Sequence, residues 1–448
     1  MHTITKLSPN HLSGSAETGR RVLIVSYYFP PRPAIASLRI RGLAKYLSEY
    51  GWSPVILTAA LPAEPERRFE VVQTAYPGGA TSQWKQKLGL DKAKGFQEQI
   101  GITPASRKGK VSIINKFVNI ARAIVAYPDD EKTWYPFAVS EGHKLIKSGQ
   151  FDAIISSAGP YTCHLIAKEL KARHGLPWIA DFRDLWTQNH YYSYGSLRLL
   201  FERRLELKTL GVADALVTVS EPLAQKLKTL HRNKRVSVIN NGFDIDDVDT
   251  APLTKQLTIT YTGQLYQGKR DPALLFQAVS ALIAAGAINA SQIRIRFFGD
   301  APFWLEQEIM QYGLSEVVSL HSNVPRDVAL YKQRESHALL LLNWDDPSEQ
   351  GVYTGKVFEY LAAKRPILAL GGPSGVVKEL LNETNAGVHI NALDDLKDLL
   401  LFWYKEFKQN SSVNYHGNWD AIEKYSHREM ARKFAHLLDQ FTNDSSKT

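Results

Sequence analysis

The chain has 448 residues, of which 44% are hydrophobic and 22% are charged. This length exceeds what one hydrophobic core usually serves, so we expect two domains of about 200 residues each. Cys163 is the single cysteine, which excludes an internal disulfide and favours a reducing, cytoplasmic setting. Residues 1–19 are polar, and we expect them to form a disordered tail and not a secretory signal. No apolar run approaches the roughly 18 residues that a transmembrane helix needs.

The net charge of +9 and the pI of about 9.2 favour anionic partners, such as phosphates, nucleic acid or an anionic lipid surface. The sequence has no recognisable nucleic-acid reader motif, so we expect no nucleic-acid partner. Cations dominate residues 85–122, where Asp91 and Glu98 are the acidic residues. Two interpretations of this stretch stay open, a solvated insertion and a basic surface that faces a membrane.

The N-terminal half begins with a strand, a helix and a second strand, which is how a Rossmann-like domain opens. The strands are predicted at Arg20–Tyr28 and Ser53–Thr58, and the helix between them at Leu38–Tyr50. Further short apolar runs predict strands at 151–157, 178–184, 213–220 and 236–239. Alternating strands and helices of this spacing predict a parallel sheet.

Three polar side chains follow the ends of these strands. His164 lies in the first helical turn after the strand at 151–157, and Arg183 and Asp184 end the next strand. Because ligands bind at the carboxyl ends of parallel strands, we expect these side chains to face a cleft. Two structural alternatives stay open: a helix-capping network at His164, and an ion pair of Arg183 with Asp181 or Asp184.

We take Arg39, Trp134 and Tyr192 as candidates for binding an acceptor. Arg39 lies on the first helix, and the two aromatic residues lie in segments that contain further tryptophan, tyrosine or proline. Flat aromatic rings suit the face of a sugar, although core packing is the commoner role of such residues.

A polar linker at about 247–256 separates this half from a second one. Its first strand, Leu257–Thr262, is followed by Gly263 and then by the adjacent cations Lys269 and Arg270. Glycines and cations after a first strand can clamp a diphosphate. The string Asp244-Ile-Asp246 precedes the linker and is interpreted as turn chemistry, so we assign no metal.

A short helix beginning at Gly355 lies between two buried strands. Its glycine leaves backbone N–H groups open to an anion at the positive end of the helix. Lys356 and Glu359 share one face, and Glu359 can accept hydrogen bonds from hydroxyl groups. The stretch from Gly351 to Lys356 departs from a P-loop at two points, because it is one residue short and Val357 replaces the Mg-binding Ser or Thr. The remaining alternative is a core βαβ unit with a solvated Lys/Glu face.

The segment Thr354–Pro366 resembles the donor-nucleotide helix of retaining family-4 glycosyltransferases, which have two Rossmann-like domains (the GT-B fold). The YYFPP, GW and PVILT strings of the N-terminal half are similar to the start of many members. The resemblance implies that Glu359 holds the ribose, that Lys269 binds the diphosphate, and that Asn323 and Val324 present backbone to the nucleobase. It also implies that His164 lines the catalytic cleft.

Two positions depart from the family pattern. Gly351 stands where the family has a second glutamate, which contacts the donor sugar, and Glu349 lies two residues upstream. Gln264 stands where the family has an arginine that binds the diphosphate, and Arg270 is the candidate to supply that charge.

We therefore predict an α/β chain with the GT-B fold, in which two doubly wound Rossmann-like domains flank an interdomain cleft. Residues 20–247 form the acceptor domain, 257–415 the nucleotide-sugar domain, and 416–441 a terminal helix that crosses back. The predicted catalytic residues are His164, Arg183 and Asp184. The predicted donor-binding residues are Gly263, Lys269, Arg270, Asn323, Val324, Thr354, Gly355, Lys356 and Glu359. No metal or cofactor is predicted.

The predicted function is the metal-independent transfer of a hexose from a nucleoside-diphosphate sugar, with retention, to a lipid-linked glycan or other precursor of a cell-surface polysaccharide. We expect a cytoplasmic protein, peripheral at the inner face of the plasma membrane. Two alternatives stay open: a sugar-nucleotide epimerase, which shares the fold and needs no acceptor, and a non-catalytic nucleotide-sugar-binding partner of another transferase.

Overall fold

A computed structural model describes residues 19–87, 121, 124–190, 192, 195–247, 250–344 and 346–444. The predicted disordered tail lies outside the described residues except for Gly19. Most of the basic stretch at 85–122 also lies outside them. The structure therefore tests neither prediction.

The N-terminal half contains a parallel sheet of seven strands in the order β3-β2-β1-β4-β5-β6-β7. The strands are β1 (Arg20–Val25), β2 (Trp52–Ala59), β3 (Glu70–Thr74), β4 (Ala153–Ala158), β5 (Trp178–Phe182), β6 (Ala215–Thr218) and β7 (Arg235–Val238). The α-helices described here are α1 (Ile35–Tyr46), α2 (Ala80–Lys87), α3 (Tyr135–Ser148), α4 (Thr162–His174), α5 (Ser196–Leu210) and α6 (Glu221–Leu230). Short 3-10 helices lie at Leu47–Tyr50, Asp130–Trp134 and Ile245–Asp247.

The C-terminal half contains a parallel sheet of six strands in the order β10-β9-β8-β11-β12-β13. The strands are β8 (Leu257–Thr262), β9 (Ile293–Phe298), β10 (Val318–His321), β11 (Ala338–Leu342), β12 (Ile367–Leu370) and β13 (Gly387–Ile390). The helices are α7 (Ala273–Ala284), α8 (Phe303–Gln311), α9 (Arg326–Arg334), α10 (Gly355–Ala363), α11 (Val376–Thr384), α12 (Leu393–Asn410), α13 (Trp419–Glu423) and α14 (His427–Asp444). Short 3-10 helices lie at Ala290–Gln292 and Pro347–Gly351.

The central strands are buried on both faces. Every residue of β4, β5, β8 and β11 is buried. This explains why the sequence shows continuous apolar runs, since helices cover both faces of a parallel sheet. The order of strands reverses between β1 and β4 in one sheet and between β8 and β11 in the other. The prediction of two doubly wound sheets with the GT-B fold is confirmed.

The last helix, α14, packs on the N-terminal sheet although it follows the C-terminal one. Met430, Phe434 and Leu437 of α14 belong to the same buried cluster as Ile40 and Leu43 of α1. Contacts between α1, near the start of the chain, and α14, near its end, therefore hold the last helix on the N-terminal half. Across the part of the chain that the structure describes, no helix combines the length and apolarity that crossing a membrane requires.

Candidate functional site

A cleft of about 480 Å³ lies between the two halves, at the carboxyl ends of their strands. Such crevices, at the points where strand order reverses, are where open α/β sheets bind ligands. Its N-terminal wall includes Ile35, Leu38, Arg39 and Asn241. Its C-terminal wall includes Gly263, Arg270, Asn323, Val324, Arg326, Gly355, Lys356 and Glu359. Seven of the nine predicted donor-binding residues thus line one cavity; Lys269 and Thr354 lie beside it.

Helix α10 points its N-terminus into this region. Thr354 precedes the helix in an extended conformation, and its hydroxyl oxygen is buried with no hydrogen-bond partner among the described residues. A Cβ built on Gly355 would lie 2.9 Å from Cγ2 of Ile35, which belongs to the opposite wall. A glycine at 355 therefore lets the two halves approach closely while the amide groups stay open to an anion.

The side chain of Lys356 lies on the floor of the cleft. It crosses the backbone of Gly263, and its Nζ lies 5.3 Å from the centre of the Tyr261 ring. Burial, followed by the nearby charge of Arg270, lowers the pKa of Lys356 to about 8, while Glu359 acts in the opposite direction. The ammonium group of Lys356 is thus poorly solvated, and a bound anion would stabilise its charged form.

The two cations predicted to clamp a diphosphate lie in different places. Arg270 lines the main cleft. Lys269 instead lines a neighbouring cavity of about 320 Å³, and its Nζ lies 4.0 Å from the centre of the Trp344 ring. Arg270 borders both cavities, whereas Lys269 lines the neighbouring one.

Glu359 lies one turn along α10 from Gly355, on the wall of the cleft. Its carboxylate pairs with Arg326 at 3.2 Å, and both side chains are partly exposed. Asn323 and Val324 line the same wall, and the Asn323 amide donates a hydrogen bond to the Asp300 carboxylate. Arg326 was not predicted, although a cation three residues after the predicted nucleobase contact Asn323 is a signal that could have found it.

Asp184 and Arg183 face α10 from the opposite wall. They line a cavity of about 270 Å³ together with Ile35, Gly355 and Lys356. Asp184 is exposed there, whereas Arg183 donates hydrogen bonds to the backbone carbonyls of Ala158 (2.8 Å) and Gly159 (3.0 Å). Arg183 thus fixes the loop after β4 and leaves the Asp184 carboxylate open to the cleft. Of the two proposed ion pairs of Arg183, neither is seen as a direct contact among the described residues.

His164 does not face the cleft, and this part of the prediction is corrected. Its side chain is fully buried, and its ring centre lies 4.4 Å from that of Phe182. Its Nδ1 is 2.8 Å from the Ser156 hydroxyl, which accepts from the indole of Trp178. Burial lowers the pKa of His164 to about 3. The first turn of α4 lies over the sheet, so position 164 points into the core.

Two of the three predicted acceptor residues are buried, although Arg39 also borders the cleft. Trp134 is fully buried, and its indole donates to the Thr74 hydroxyl at 2.6 Å. Arg39 is 2% exposed and forms a two-bond ion pair with Asp181. Its remaining donors bind acceptors of residues 239–241. These saturated partners make Arg39 a structural link between α1, β5 and the end of the N-terminal sheet.

Tyr192 is partly buried on the N-terminal half. Burial, followed by the charge of Glu202, raises the pKa of Tyr192 to about 12. The structure does not bring Tyr192 into the cleft walls described above, so its acceptor role stays a prediction.

An ionisable cluster that was not predicted lies beside the loop after β1. Burial, followed by the charge of Asp129, raises the pKa of Glu131 to about 7, and Arg32 lowers it. The Arg32 guanidinium lies 4.2 Å from the centre of the Tyr27 ring and donates to its hydroxyl. The pattern PDDEKTW gave a run of acidic residues but no indication that Glu131 is half-buried.

The two halves touch directly at the 3-10 helix Pro347–Gly351. Ser220 Oγ donates to the Gly351 carbonyl at 2.6 Å, and His190 lies 2.6 Å from the Glu349 carboxylate. A Cβ built on Gly351 would lie 2.9 Å from Cβ of Pro222. The glutamate that the family has at this position would therefore meet the N-terminal half.

No cluster of three or more His, Cys, Asp or Glu side chains that could hold a metal is found among the residues the structure covers.

Comparison with protein families gives one match, in which residues 36–247 fit the model of Glycosyltransferase Family 4. The matched segment contains β2 to β7 of the N-terminal sheet, and the predicted resemblance to family 4 is confirmed over these residues. A comparison with curated protein sequences gives no match.

Solved structures with a similar fold cover almost the whole chain. Sucrose-phosphate synthase from Thermosynechococcus elongatus has a TM-score of 0.57 at 12% identity, covering 95% of this chain and 100% of its own. HepE from Anabaena, solved with UDP and glucose, has a TM-score of 0.59 at 12% identity, covering 94% and 100%. A UDP-forming trehalose-phosphate synthase from Burkholderia xenovorans, solved with glucose-6-phosphate, has a TM-score of 0.57 at 12% identity, covering 94% and 100%. At this identity the likeness concerns the fold.

Proposed function

Because residues 36–247 match family 4 and the chain has the GT-B fold, we propose that it transfers a hexose from a nucleoside-diphosphate sugar to a glycan acceptor, with retention of configuration. One observation carries this proposal. Lys356, Arg270 and the N-terminus of α10 converge on a single cleft, with Glu359 one turn further along the same helix.

The diphosphate is proposed to lie against Lys356, Arg270 and the first turn of α10. Both side chains are cationic donors, and the amides at the helix start carry partial positive charge. As the bond between sugar and diphosphate breaks, negative charge grows on the leaving group, and prearranged cations stabilise it by several kcal/mol in a poorly solvated site. The reaction is proposed to need no metal for this reason.

The ribose is proposed to bind Glu359. Four residues separate Glu359 from Gly355, which is about 6 Å along a helix axis and matches the step from a diphosphate to the ribose. The carboxylate can accept hydrogen bonds from both ribose hydroxyls once it leaves Arg326. Asn323 and Val324, on the same wall, are proposed to contact the nucleobase.

The acceptor is proposed to enter from the N-terminal wall, where Asp184 is exposed opposite Lys356. The attacking hydroxyl of the acceptor must lose a proton, and a carboxylate beside it can orient the hydroxyl and take part in that transfer. We propose a lipid-linked glycan as the acceptor, because the basic charge of the chain favours an anionic partner. The reaction is then placed at the cytoplasmic face of a membrane.

The test is to incubate the purified chain with radiolabelled nucleotide sugars, with and without a bacterial lipid extract. UDP-sugars are the first choice, because HepE was solved with UDP. The proposal expects label in the lipid fraction together with release of the nucleoside diphosphate, and loss of both in Lys356→Met. Conversion of the sugar nucleotide without lipid would indicate an epimerase. Binding of the nucleotide sugar without any product would indicate a non-catalytic partner.

A further inference from the structure

Helix α5 exposes its apolar side chains and buries its acidic ones. Leu197, Leu200, Phe201 and Leu207 are 69%, 49%, 51% and 40% exposed. Glu202, Glu206 and Thr209 of the same helix are buried. A surface helix of a globular protein normally has the reverse arrangement.

Specific partners hold the helix in this orientation. Glu202 accepts hydrogen bonds from the Trp186 indole (3.0 Å) and from Arg198 (2.6 Å). Glu206 accepts from the backbone N–H of Thr187 (3.1 Å) and lies 3.3 Å from the His231 ring. Rotating α5 to bury its leucines would leave these carboxylates without partners, which is costly. The exposed apolar face is therefore a fixed feature of the fold.

The exposed side chains form one continuous stripe. Leu197, Leu200, Phe201 and Leu207 are separated by three, one and six residues, which places them on one face of a helix. Arg204 and Lys208 are exposed on the same stripe, and both acidic residues of α5 are buried. The surface is thus apolar and cationic, with no exposed acidic group along the helix.

We propose that this stripe, Leu197 to Lys208, is the surface that docks the protein on an anionic lipid membrane. Apolar side chains enter the boundary between headgroups and acyl chains, while arginine and lysine meet anionic headgroups. Self-association would fit worse, because a two-fold contact brings Arg204 and Lys208 of two copies against the same cations. The inference rests on the proposed function, because docking on a membrane through this stripe would bring the protein to a lipid-linked acceptor.

The stripe follows shortly in sequence after a residue at the edge of the cleft. His190, which contacts Glu349 across the two halves, precedes Ser196 by six residues, so at most about 20 Å of chain separates them. A protein docked through α5 would therefore hold this end of the cleft near the lipid surface. An acceptor whose lipid part stays in the membrane can then reach the N-terminal wall.

The experiment measures binding of the full chain to vesicles of phosphatidylcholine, with or without about 30% phosphatidylglycerol, by flotation at low salt. We expect binding to the anionic vesicles and little to the neutral ones. Leu200→Ser/Phe201→Ser should reduce the partition coefficient at least about tenfold, because two apolar side chains are lost. Arg204→Gln/Lys208→Gln should remove the preference for anionic vesicles. Phe303→Ser, which changes an even more exposed apolar residue (70%) on the C-terminal half, is the control and should bind normally.

Thermal melting of each variant shows that it is folded. The inference is overturned if the wild type stays unbound at low salt, or if Leu200→Ser/Phe201→Ser binds like the wild type. It is also overturned if sedimentation velocity shows a wild-type dimer that this variant dissociates while vesicle binding is absent. No nucleotide sugar is present in these assays, so a failure of the proposed transfer reaction leaves their result unchanged.

Discussion

The side chain of Lys356 lies directly over the backbone of Gly263, so that a Cβ built on Gly263 would overlap with Cε and lie 2.7 Å from Nζ. Gly263 also has a φ of +122°, in a region that residues other than glycine rarely adopt. The first loop of the C-terminal sheet and the first turn of α10 are thus fitted to each other. This contact places the ammonium group where the diphosphate is proposed to bind.

Gly263→Ala should weaken binding of UDP and also lower the stability of the protein. The new methyl group must displace Lys356, and the backbone strain at this φ costs about 1–3 kcal/mol. Lys356→Met is the matched variant: it should lose about 10- to 100-fold in UDP affinity, as expected for a hydrogen bond to a charged group, and keep its melting temperature. Isothermal titration and thermal melting check both. Normal UDP affinity in Lys356→Met would show that Lys356 has no part in binding.

Glu359→Ala should raise the Kd for UDP by an amount that corresponds to about 1.5–3 kcal/mol, because a carboxylate that accepts ribose hydroxyl groups is lost. The loss should be much smaller for 2′,3′-dideoxy-UDP, which lacks those hydroxyls. Arg326→Ala is the control, since it removes the ion pair and leaves the carboxylate in place. Equal losses for the two nucleotides would contradict the ribose assignment.

Asp184→Asn should reduce kcat for transfer by roughly 10²–10⁴-fold, because it removes the carboxylate that is proposed to take up the acceptor proton. The Kd for UDP should change little, since Asp184 lies on the wall opposite Glu359. Steady-state kinetics and nucleotide titration separate the two effects. A variant that transfers normally would exclude this role.

His164→Ala should destabilise the fold by about 2–5 kcal/mol, because a buried ring and one hydrogen bond of Ser156 are removed. The Ser156 hydroxyl accepts from the Trp178 indole and also lies 2.8 Å from Nδ1 of His164, so the imidazole is part of a buried hydrogen-bond network. Chemical denaturation measures the loss. A variant with wild-type stability and no transfer activity would instead support the predicted catalytic role of His164.

The sequence predicts the buried strands and the fold well, because helices cover both sheet faces and each strand becomes a continuous apolar run. It misses β3 and β13, which lie at sheet edges. In the segment Glu70–Thr74, Glu70 and Gln73 are exposed and Thr74 is the one buried residue, so its apolar signal is weak.

Some residues of the candidate site could be predicted from the sequence, and others could not. Gly355, Lys356 and Glu359 lie on one regular helix, and helical spacing is enough to bring them together. His164 and Arg39 are polar residues that the fold buries with partners more than a hundred residues away or on a neighbouring strand. Sequence position shows that a residue follows a strand, but not whether the next turn points to the cleft or to the core.

The low pKa of Lys356 makes a prediction about pH. At a pKa of about 8 the free site holds its ammonium fully charged below pH 7 and loses the charge as the pH rises through 8. A bound diphosphate favours the charged form and raises that pKa. The affinity for UDP should therefore be constant below the pKa of the free site and fall by up to about tenfold per pH unit above it, until the pKa of the bound site is reached.

Lys356→Arg provides the control for this pH effect, because a guanidinium stays charged throughout the accessible range. Titrations of both proteins with UDP between about pH 7 and 9.5 compare the slopes, in a window where the phosphates of UDP are already ionised. The wild type should lose affinity with rising pH and Lys356→Arg should not. A flat profile in the wild type would show that Lys356 is not buried enough to titrate in this range. Equal slopes in the two proteins would assign the effect to another group, and the diphosphate would then have to be placed away from the floor of the cleft.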